Sequence, residues 1–169
     1  MAPRVVLIGP PGSGKSTVGA VLANALGVAF HDTDAAIETA QGCSIADLFL
    51  AEGEAHFRAL ERAEVARALR DEDGVLALGG GAPLDPASQG ALAAHTVVFL
   101  DVGIADAARR IGFDRSRPLL AVNPRGTWVR LMNERRPVYE RLATHVVDTA
   151  GRAPEAIAAD IAAVLGRES

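Results

Sequence analysis

Residues 5–16 read Val-Val-Leu-Ile-Gly-Pro-Pro-Gly-Ser-Gly-Lys-Ser, four apolar residues followed at once by a glycine-rich loop. The loop fits the pattern G-x-x-x-x-G-K-[ST] between a short strand and a helix, the setting that gives the pattern its meaning. Glycines let successive main-chain N–H groups surround phosphate oxygens, and the following helix points its positive end at the same anion. A glycine-rich turn in an ordinary α/β protein is the alternative, but such a turn would need neither the lysine nor the hydroxyl. The stretch predicts a site for a nucleoside triphosphate.

Six consecutive residues of this loop are expected to contact the triphosphate: Gly12, Ser13, Gly14, Lys15, Ser16 and Thr17. Lys15 places a positive charge at the β- and γ-phosphates, where charge develops during phosphoryl transfer, and is therefore a candidate catalytic residue. Ser16 is placed to put its hydroxyl on the Mg²⁺ ion that bridges those phosphates. The loop thus predicts a nucleoside triphosphate as a ligand together with one magnesium ion.

The composition of the chain excludes several classes of protein. Its 169 residues are 49% apolar and 22% charged, which is typical of a folded domain and not of a disordered chain. The net charge of −4 argues against a nucleic-acid-binding surface, and no apolar run reaches the ~20 residues that span a bilayer. The single cysteine, Cys43, agrees with a reducing cytoplasm, and the first strand candidate leaves no room for a targeting peptide. We expect a cytoplasmic monomer with neither nucleic-acid nor membrane partners.

Short apolar runs alternate with amphipathic stretches along the chain. The candidate strands are 5–8, 28–31, 75–78, 96–101 and 145–148, and the helical stretches are 15–26, 54–70, 104–111, 127–142 and 154–165. This alternation predicts one three-layer α/β/α domain over residues 1–169, with a five-stranded parallel sheet. Ligands of such sheets bind at the carboxyl ends of the strands.

Two segments interrupt the alternation. Residues 33–61 hold two or three short helices, more than a simple crossover needs, and predict a small helical insertion for the substrate. Residues 112–124 form a loop bounded by glycine and proline, and a long loop of this kind in a compact domain is commonly a lid. Arg117 in this loop precedes a proline that stiffens the backbone, and an arginine that reaches the phosphates on closure would stabilise the transferring group.

Two carboxylates follow the second candidate strand. The third strand ends in glycine, where many phosphate-loop proteins have an acid, so Asp32 is the candidate Mg²⁺ partner beside Ser16, directly or through water. Capping the next helix is the alternative for Asp32, although Thr33 or Asp34 could cap it as well. Asp34 could instead accept the proton of an alcohol that attacks the γ-phosphate.

Glycines and an arginine mark a second candidate binding region. The stretch Gly79-Gly80-Gly81 permits close approach of a ligand and offers main-chain N–H groups to it, whereas a plain turn rarely needs three glycines. Arg58 lies off the apolar stripe of its helix, which leaves two interpretations. It forms either a solvated salt-bridge ladder with Glu54 and Glu61 or a clamp for an acidic substrate.

Taken together, these residues resemble the shikimate kinase family along nearly the whole chain. The matching features are residues 9–17, Asp32-Thr33-Asp34, Gly53-Glu54, Phe57-Arg58, Glu61, Gly79-Gly80-Gly81, Arg117-Pro118-Leu119-Leu120 and Arg135-Arg136-Pro137-Val138-Tyr139. The last of these fits the family pattern R-x-P-x-Y. The resemblance implies transfer of the γ-phosphoryl group of ATP to the 3-hydroxyl of shikimate, giving shikimate 3-phosphate and ADP, in aromatic amino-acid synthesis.

The resemblance also implies roles for single residues. Asp34 would bind the shikimate hydroxyls and act as the base. Arg58, Arg135 and the main chain of the three glycines around Gly80 would hold the substrate, the arginines by its carboxylate. Arg117 would contact the ATP phosphates. The residues expected near the adenine are Arg110 and Pro154, which would sandwich it, and Arg152. Trp128 and Tyr139, in contrast, are expected to be packing residues.

Two other functions remain open from the sequence. Another small-molecule kinase of the same architecture, such as a gluconate kinase, also acts on a hydroxylated acid, so an arginine clamp does not separate the two. The three glycines and the Arg-Pro-Leu-Leu stretch favour shikimate. A nucleotide-dependent switch without an acceptor substrate would instead need partner-facing segments that respond to the γ-phosphate.

Overall fold

A five-stranded parallel sheet forms the centre of the computed structural model, which describes residues 2–111 and 123–168. The strands are β1 (Val5–Ile8), β2 (Phe30–Asp32), β3 (Val75–Ala77), β4 (Val97–Asp101) and β5 (His145–Asp148). The helices are α1 (Lys15–Leu26), α2 (Thr33–Gln41), α3 (Ile45–Glu52), α4 (Glu54–Asp71), α5 (Pro86–Leu92), α6 (Ile104–Ile111), α7 (Pro124–Leu142) and α8 (Pro154–Glu168). The strand order is β2-β3-β1-β4-β5, so the predicted fold class is confirmed.

The central strand β1 divides the core into two layers. Because successive side chains of a strand point to opposite faces, Val6 and Ile8 pack into one hydrophobic cluster and Val5 and Leu7 into the other. The first cluster is completed by residues of α4, α5, α6 and α7, and the second by residues of α1 and α8. The sheet is therefore covered on both faces, and the loops at its carboxyl edge are held between two rigid layers.

The second strand begins later than the sequence predicts. The expectation was 28–31, but β2 covers Phe30–Asp32. The end of α1 explains the shift, because Gly27 adopts a left-handed conformation and the N–H of Val28 donates to the carbonyl of Ala23 at 3.0 Å. This hydrogen bond closes the helix, so the first residue available to the sheet lies further along. The shift places Asp32 inside the strand end, level with Ala77 of β3.

A short helix that the sequence analysis missed follows the three glycines. A single 3-10 turn (Ala82–Leu84) leads into α5, whose N-cap Asp85 accepts a hydrogen bond from the N–H of Ser88 at 3.0 Å. The signal was present in the sequence as Asp85-Pro86, a capping residue followed by a proline suited to the first helical position.

The segment predicted as a helical insertion contains α2, α3 and the first half of α4. One apolar residue from each helix, Ile37, Leu48 and Phe57, joins a small hydrophobic cluster. Further along, α4 contributes Val65 and Leu69 to the main core. The same helix is thus anchored at both ends, and this fixes the position of residues 58–61 over the sheet edge.

Most of the predicted lid, 112–124, lies outside the described residues, which resume at Asn123. There the side chain of Asn123 caps α7 by accepting a hydrogen bond from the N–H of Gly126 at 3.4 Å. Among the described helices, none is both long and apolar enough to pass through a lipid bilayer.

Candidate active site

The phosphate loop has the conformation that its glycines predict. Gly12 and Gly14 have φ angles of 84° and 90°, in the left-handed region that glycine adopts at little cost. Gly14 directly precedes α1, so the positive end of that helix opens into the loop. The Nζ of Lys15 donates to the carbonyls of Gly9 at 2.7 Å and Pro10 at 3.1 Å. The ammonium group therefore lies across the loop, where an incoming phosphate would meet it.

Asp32 has two partners, and each carboxylate oxygen serves one of them. Oδ1 accepts from the main-chain N–H groups of Asp34 at 2.9 Å and Ala35 at 3.3 Å, so Asp32 caps α2. Oδ2 accepts from the hydroxyl of Ser16 at 2.6 Å. Capping was one of two interpretations of Asp32 and is confirmed. The binding of Mg²⁺ by Asp32 stays a prediction, and Oδ2 beside Ser16 is the oxygen that it requires. A hydroxyl and a carboxylate are hard oxygen ligands of the kind that Mg²⁺ prefers, so the pair fits that ion.

Each of the three successive glycines makes room for a different charged side chain. A Cβ on Gly79 would lie 2.5 Å from Oδ1 of Asp34, and one on Gly81 would lie 2.5 Å from an Nη of Arg58. A Cβ on Gly80 would lie 3.1 Å from an Nη of Arg135. No side chain larger than hydrogen fits at these distances without movement of the charged group. The glycines thus bring one carboxylate and two guanidinium groups against a single stretch of main chain.

Thr33 joins the glycine stretch to helix α2. Its hydroxyl accepts a hydrogen bond from the N–H of Gly79 at 3.3 Å, and its side chain is fully buried. Because Thr33 precedes Asp34 directly, this contact fixes the Asp34 carboxylate relative to the end of β3.

A buried glutamate pairs with Arg58 and lies within the electrostatic influence of Arg135. Glu61 is 3% exposed, and its carboxylate accepts a hydrogen bond from Arg58 at 2.8 Å. Burial raises the pKa of Glu61, and the nearby charges of Arg58 and Arg135 oppose that rise. The pKa of Arg58 is raised, because its two glutamates outweigh the effect of its own burial. The ladder with Glu54 and Glu61 exists: its Glu54 end is exposed to solvent, whereas its Glu61 end is buried.

Arg135 and Arg136 are adjacent in sequence and point to different places. Arg135 is 4% exposed and lies against Gly80. Arg136 donates to the carboxylate of Asp101 at the end of β4 at 2.8 Å. A helix turns 100° per residue, which accounts for the separation. The structure therefore distinguishes the arginine that the family pattern selects from its neighbour.

Two cavities meet at the carboxyl edge of the sheet. One, of about 400 Å³, extends over the helices of the insertion, and the other, of about 520 Å³, extends over the phosphate loop. The first is lined by Arg58, Glu61, Gly81, Arg135 and apolar side chains that include Phe49 and Phe57. The second is lined by Gly12 to Thr17, Gly79, Arg110, Arg152 and Pro154. Both are lined by Pro11, Ser16, Asp32, Asp34 and Gly80, which mark the junction.

The residues predicted near the adenine line the second cavity. Arg110 donates to the carbonyls of Gly12 at 3.1 Å and Ser13 at 3.2 Å and to both oxygens of Thr149. Burial and the neighbouring Arg109 lower the pKa of Arg110. Arg152 forms an ion pair with Asp160 of α8 at 2.5 Å. The structure thus places these residues around the cavity, and their contact with adenine stays a prediction. Arg117 lies outside the described residues.

Two residues of α7 do more than pack, which the sequence analysis missed. The indole N–H of Trp128 donates to the carbonyl of Pro11 in the phosphate loop at 2.8 Å. The hydroxyl of Tyr139 donates to the carbonyl of Gly80 at 2.6 Å. Both side chains are buried, as predicted for packing residues. One helix therefore contacts the loops of both cavities, with Arg135 between the two contacts.

A phosphate loop on a parallel sheet, opening into a second cavity lined by arginines and a carboxylate, defines a P-loop phosphotransferase for a small acidic acceptor. The family model described as shikimate kinase matches residues 11–166 of this chain. A shikimate kinase of Salinispora arenicola is 56% identical over 165 residues, covering 98% of this chain and 99% of that protein. The chain belongs to the shikimate kinase family.

Solved structures agree with that placement. The shikimate kinase of Acinetobacter baumannii in complex with shikimate superposes with a TM-score of 0.95 at 33% identity, covering 100% of this chain and 95% of that one. A gluconokinase of Sinorhizobium meliloti has a TM-score of 0.60 at 22% identity, over 96% of this chain and 91% of its own. The likeness to the gluconokinase shows only that the two proteins have a common fold.

Proposed function

We propose that this protein transfers the γ-phosphoryl group of ATP to the 3-hydroxyl of shikimate, giving shikimate 3-phosphate and ADP. The observation that carries the proposal is the junction of the two cavities. One cavity has the phosphate loop, the other has two guanidinium groups around a buried glutamate, and Asp34 lines both. A small acid held by its carboxylate at the arginines would present its hydroxyls toward Asp34 and the phosphate loop.

The acid would be held at one end by charge-assisted hydrogen bonds. Arg58 and Arg135 reach the same stretch of main chain from two different helices, α4 and α7. Guanidinium groups bind carboxylates with two parallel hydrogen bonds, which fix orientation as well as distance. The glycine stretch adds main-chain N–H groups at the same point, so the substrate's ring would be held in one orientation.

Asp34 is the proposed base. As the 3-hydroxyl oxygen attacks the γ-phosphorus, a new O–P bond forms, the bond from the γ-phosphorus to the β,γ-bridging oxygen breaks, and the hydroxyl proton passes to the Asp34 carboxylate. Lys15 stabilises the charge on the phosphate oxygens. Arg117 is proposed to contact the same phosphates. ADP and shikimate 3-phosphate then leave.

Ser16 and Asp32 are the proposed holders of Mg²⁺, directly or through water. When bound, this ion neutralises negative charge on the β- and γ-phosphates. The Ser16–Asp32 hydrogen bond keeps both oxygens at the junction of the cavities, and the cap on α2 fixes the orientation of the carboxylate. Arg110, Pro154 and Arg152 are proposed to surround the adenine.

The test is ADP release measured by a coupled assay with shikimate, with gluconate and with neither acid. Shikimate should stimulate release strongly, and mass spectrometry should detect singly phosphorylated shikimate. Faster turnover with gluconate would assign the protein to another small-molecule kinase. ATP consumption that neither acid stimulates would favour a nucleotide-dependent switch.

Arg135 and Arg136 offer a matched pair of variants for the same assay. Arg135→Ala removes the arginine that lines the acid cavity, and shikimate-dependent ADP release should fall. Arg136→Ala removes an arginine that pairs with Asp101, and turnover should be retained once folding is verified by circular dichroism. Retained turnover in Arg135→Ala together with a loss in Arg136→Ala would contradict the proposed clamp.

We further propose that the protein acts as a cytoplasmic monomer without nucleic-acid or membrane partners. Residues of one chain line both cavities, which supports a site that needs no second copy. Light scattering coupled to size-exclusion chromatography tests the oligomeric state, and a dimer that loses activity on dilution would overturn it.

A further inference from the structure

The three successive glycines contain a tight turn whose geometry the structure defines. The N–H of Ala82 donates to the carbonyl of Gly79 at 3.1 Å, closing a four-residue β-turn. Gly81 has φ −91° and ψ −10°, close to the third-position angles of a type I turn. A type II turn would have the same ends but a φ of about +80° at this residue.

Glycine makes the two turn types nearly equal in energy. The types differ by a flip of the peptide unit between the second and third residues, here Gly80 and Gly81. In most sequences the positive φ required after the flip opposes it, but glycine accepts that angle at no steric cost. The glycines that admit Asp34, Arg58 and Arg135 therefore leave this stretch of main chain without the steric preference that would otherwise favour type I over type II.

The direction of this peptide unit matters for binding. In a trans peptide the carbonyl and the N–H point in opposite directions, and the described residues contain no cis peptide bond. The carbonyl of Gly80 points to the buried hydroxyl of Tyr139 at 2.6 Å. The N–H of Gly81 therefore points the other way, and Gly81 lines the acid cavity beside Arg58. A flip would replace this donor with a carbonyl oxygen, which repels an anion.

We propose that Tyr139 is a positioning residue, whose hydroxyl selects the type I turn at Gly79–Ala82 and so directs the N–H of Gly81 at the acidic substrate. The proposal rests on the proposed function, because it assigns that substrate's anionic group as the acceptor. The hydroxyl can act in this way because its ring is fixed. Tyr139 is fully buried and packs against Phe99 with ring centroids 5.1 Å apart.

The test is Tyr139→Phe, which keeps the ring and its packing and removes one oxygen. Without the hydroxyl, the carbonyl of Gly80 loses its donor in a partly buried setting, and the flip relieves that loss. The KM for shikimate should rise about tenfold, as expected for a lost donor to an anion, while the KM for ATP stays nearly unchanged. The amides of Gly80 and Gly81 should also show microsecond-to-millisecond exchange in NMR relaxation dispersion, measured without substrate.

A matched control separates positioning from general loosening of the core. Ile161→Val shortens a fully buried side chain in the cluster on the opposite face of the sheet. This variant should lower the free energy of unfolding without changing the KM for shikimate or the exchange measured at the amide of Gly81. The hydroxyl of Tyr139 also interacts with Arg135, so a raised KM for shikimate without exchange at the amide of Gly81 would assign the effect to Arg135 and overturn the proposal. The proposal is also overturned if Tyr139→Phe leaves the KM for shikimate unchanged, or if it raises the KM values for shikimate and ATP equally. Failure of the wild-type protein to phosphorylate shikimate would refute the proposed function, whereas the substrate-free NMR measurement would still decide the role of Tyr139.

Discussion

Replacing Arg58 by alanine tests the clamp for the acidic substrate. In the folded protein this guanidinium donates to Glu61 at 2.8 Å and to Glu54 at 3.4 Å, and it lies directly against Gly81. A guanidinium group has five N–H donors, so these two hydrogen bonds leave donors for a carboxylate in the cavity. The variant removes those donors and leaves Asp34 and the phosphate loop in place.

The expected loss of shikimate affinity in Arg58→Ala follows from the kind of contact that the variant removes. A hydrogen bond between charged groups contributes about 1.5–3 kcal/mol, which corresponds to about a 10- to 150-fold weakening of shikimate binding. The upper part of this range is favoured, because the Arg58 side chain is only 26% exposed and water screens it little. The affinity for ATP should change little, since the contacts of Arg58 lie in the other cavity.

Isothermal calorimetry with shikimate on nucleotide-loaded protein measures the change directly, and steady-state kinetics separate KM from kcat. Arg62→Ala is the matched control, since Arg62 lies about one turn further along α4, has a half-exposed side chain and pairs with Asp85 at 2.8 Å. An unchanged affinity for shikimate in folded Arg58→Ala protein would refute the clamp. Equal losses for both substrates in the two arginine variants would point instead to distortion of α4.

Three further perturbations address the base, the glycine stretch and the buried acid. Asp34→Asn should lower kcat about 10²- to 10⁴-fold in the coupled assay, as expected for a lost general base, with little change in the KM for ATP. Gly79→Ala should lower kcat because its methyl group would lie 2.5 Å from the Asp34 carboxylate, whereas Gly90→Ala, which meets no atom within 4 Å, should leave kcat unchanged. Burial raises the pKa of Glu61 in the folded state, so the folded protein holds the proton more tightly than the unfolded chain does. The stability of the wild-type protein relative to Glu61→Gln should therefore decrease as pH rises above 4.5, measured by urea unfolding.

Each of these predictions has an outcome that contradicts it. An intact kcat in Asp34→Asn would leave that carboxylate a positioning role, and full activity in Gly79→Ala would mean that the carboxylate has room to move. A stability difference between wild type and Glu61→Gln that does not change with pH would indicate that Glu61 is ionised equally in both states.

Features set by local sequence were predicted well. The phosphate loop depends on neighbouring residues, and both β1 and α1 have the predicted bounds, 5–8 and 15–26. The second strand was wrong at its start because a helix-closing hydrogen bond from Val28 competes with the sheet. Such competition depends on the conformation of Gly27, which the run of apolar residues does not reveal.

Contacts between distant segments could not be predicted in the same way. Three glycines predicted a close approach, but which side chain meets each glycine depends on how α2, α4 and α7 pack on the sheet. Glu61 is an instructive case, because it lies four residues after Phe57 and four before Val65, on the buried face of α4. A carboxylate at that spacing was a signal that the helix buries a charge, and a buried charge requires a partner.

The hydrogen bond from Trp128 to the phosphate loop also provides an optical probe. The sequence contains one tryptophan, so all indole emission comes from a ring whose N–H donates to the carbonyl of Pro11. Indole fluorescence responds to the electric field and polarity around the ring, and a bound triphosphate would change both at that loop. Titrating nucleotide into unlabelled protein should therefore shift or quench the emission, giving a dissociation constant that needs neither a dye nor turnover.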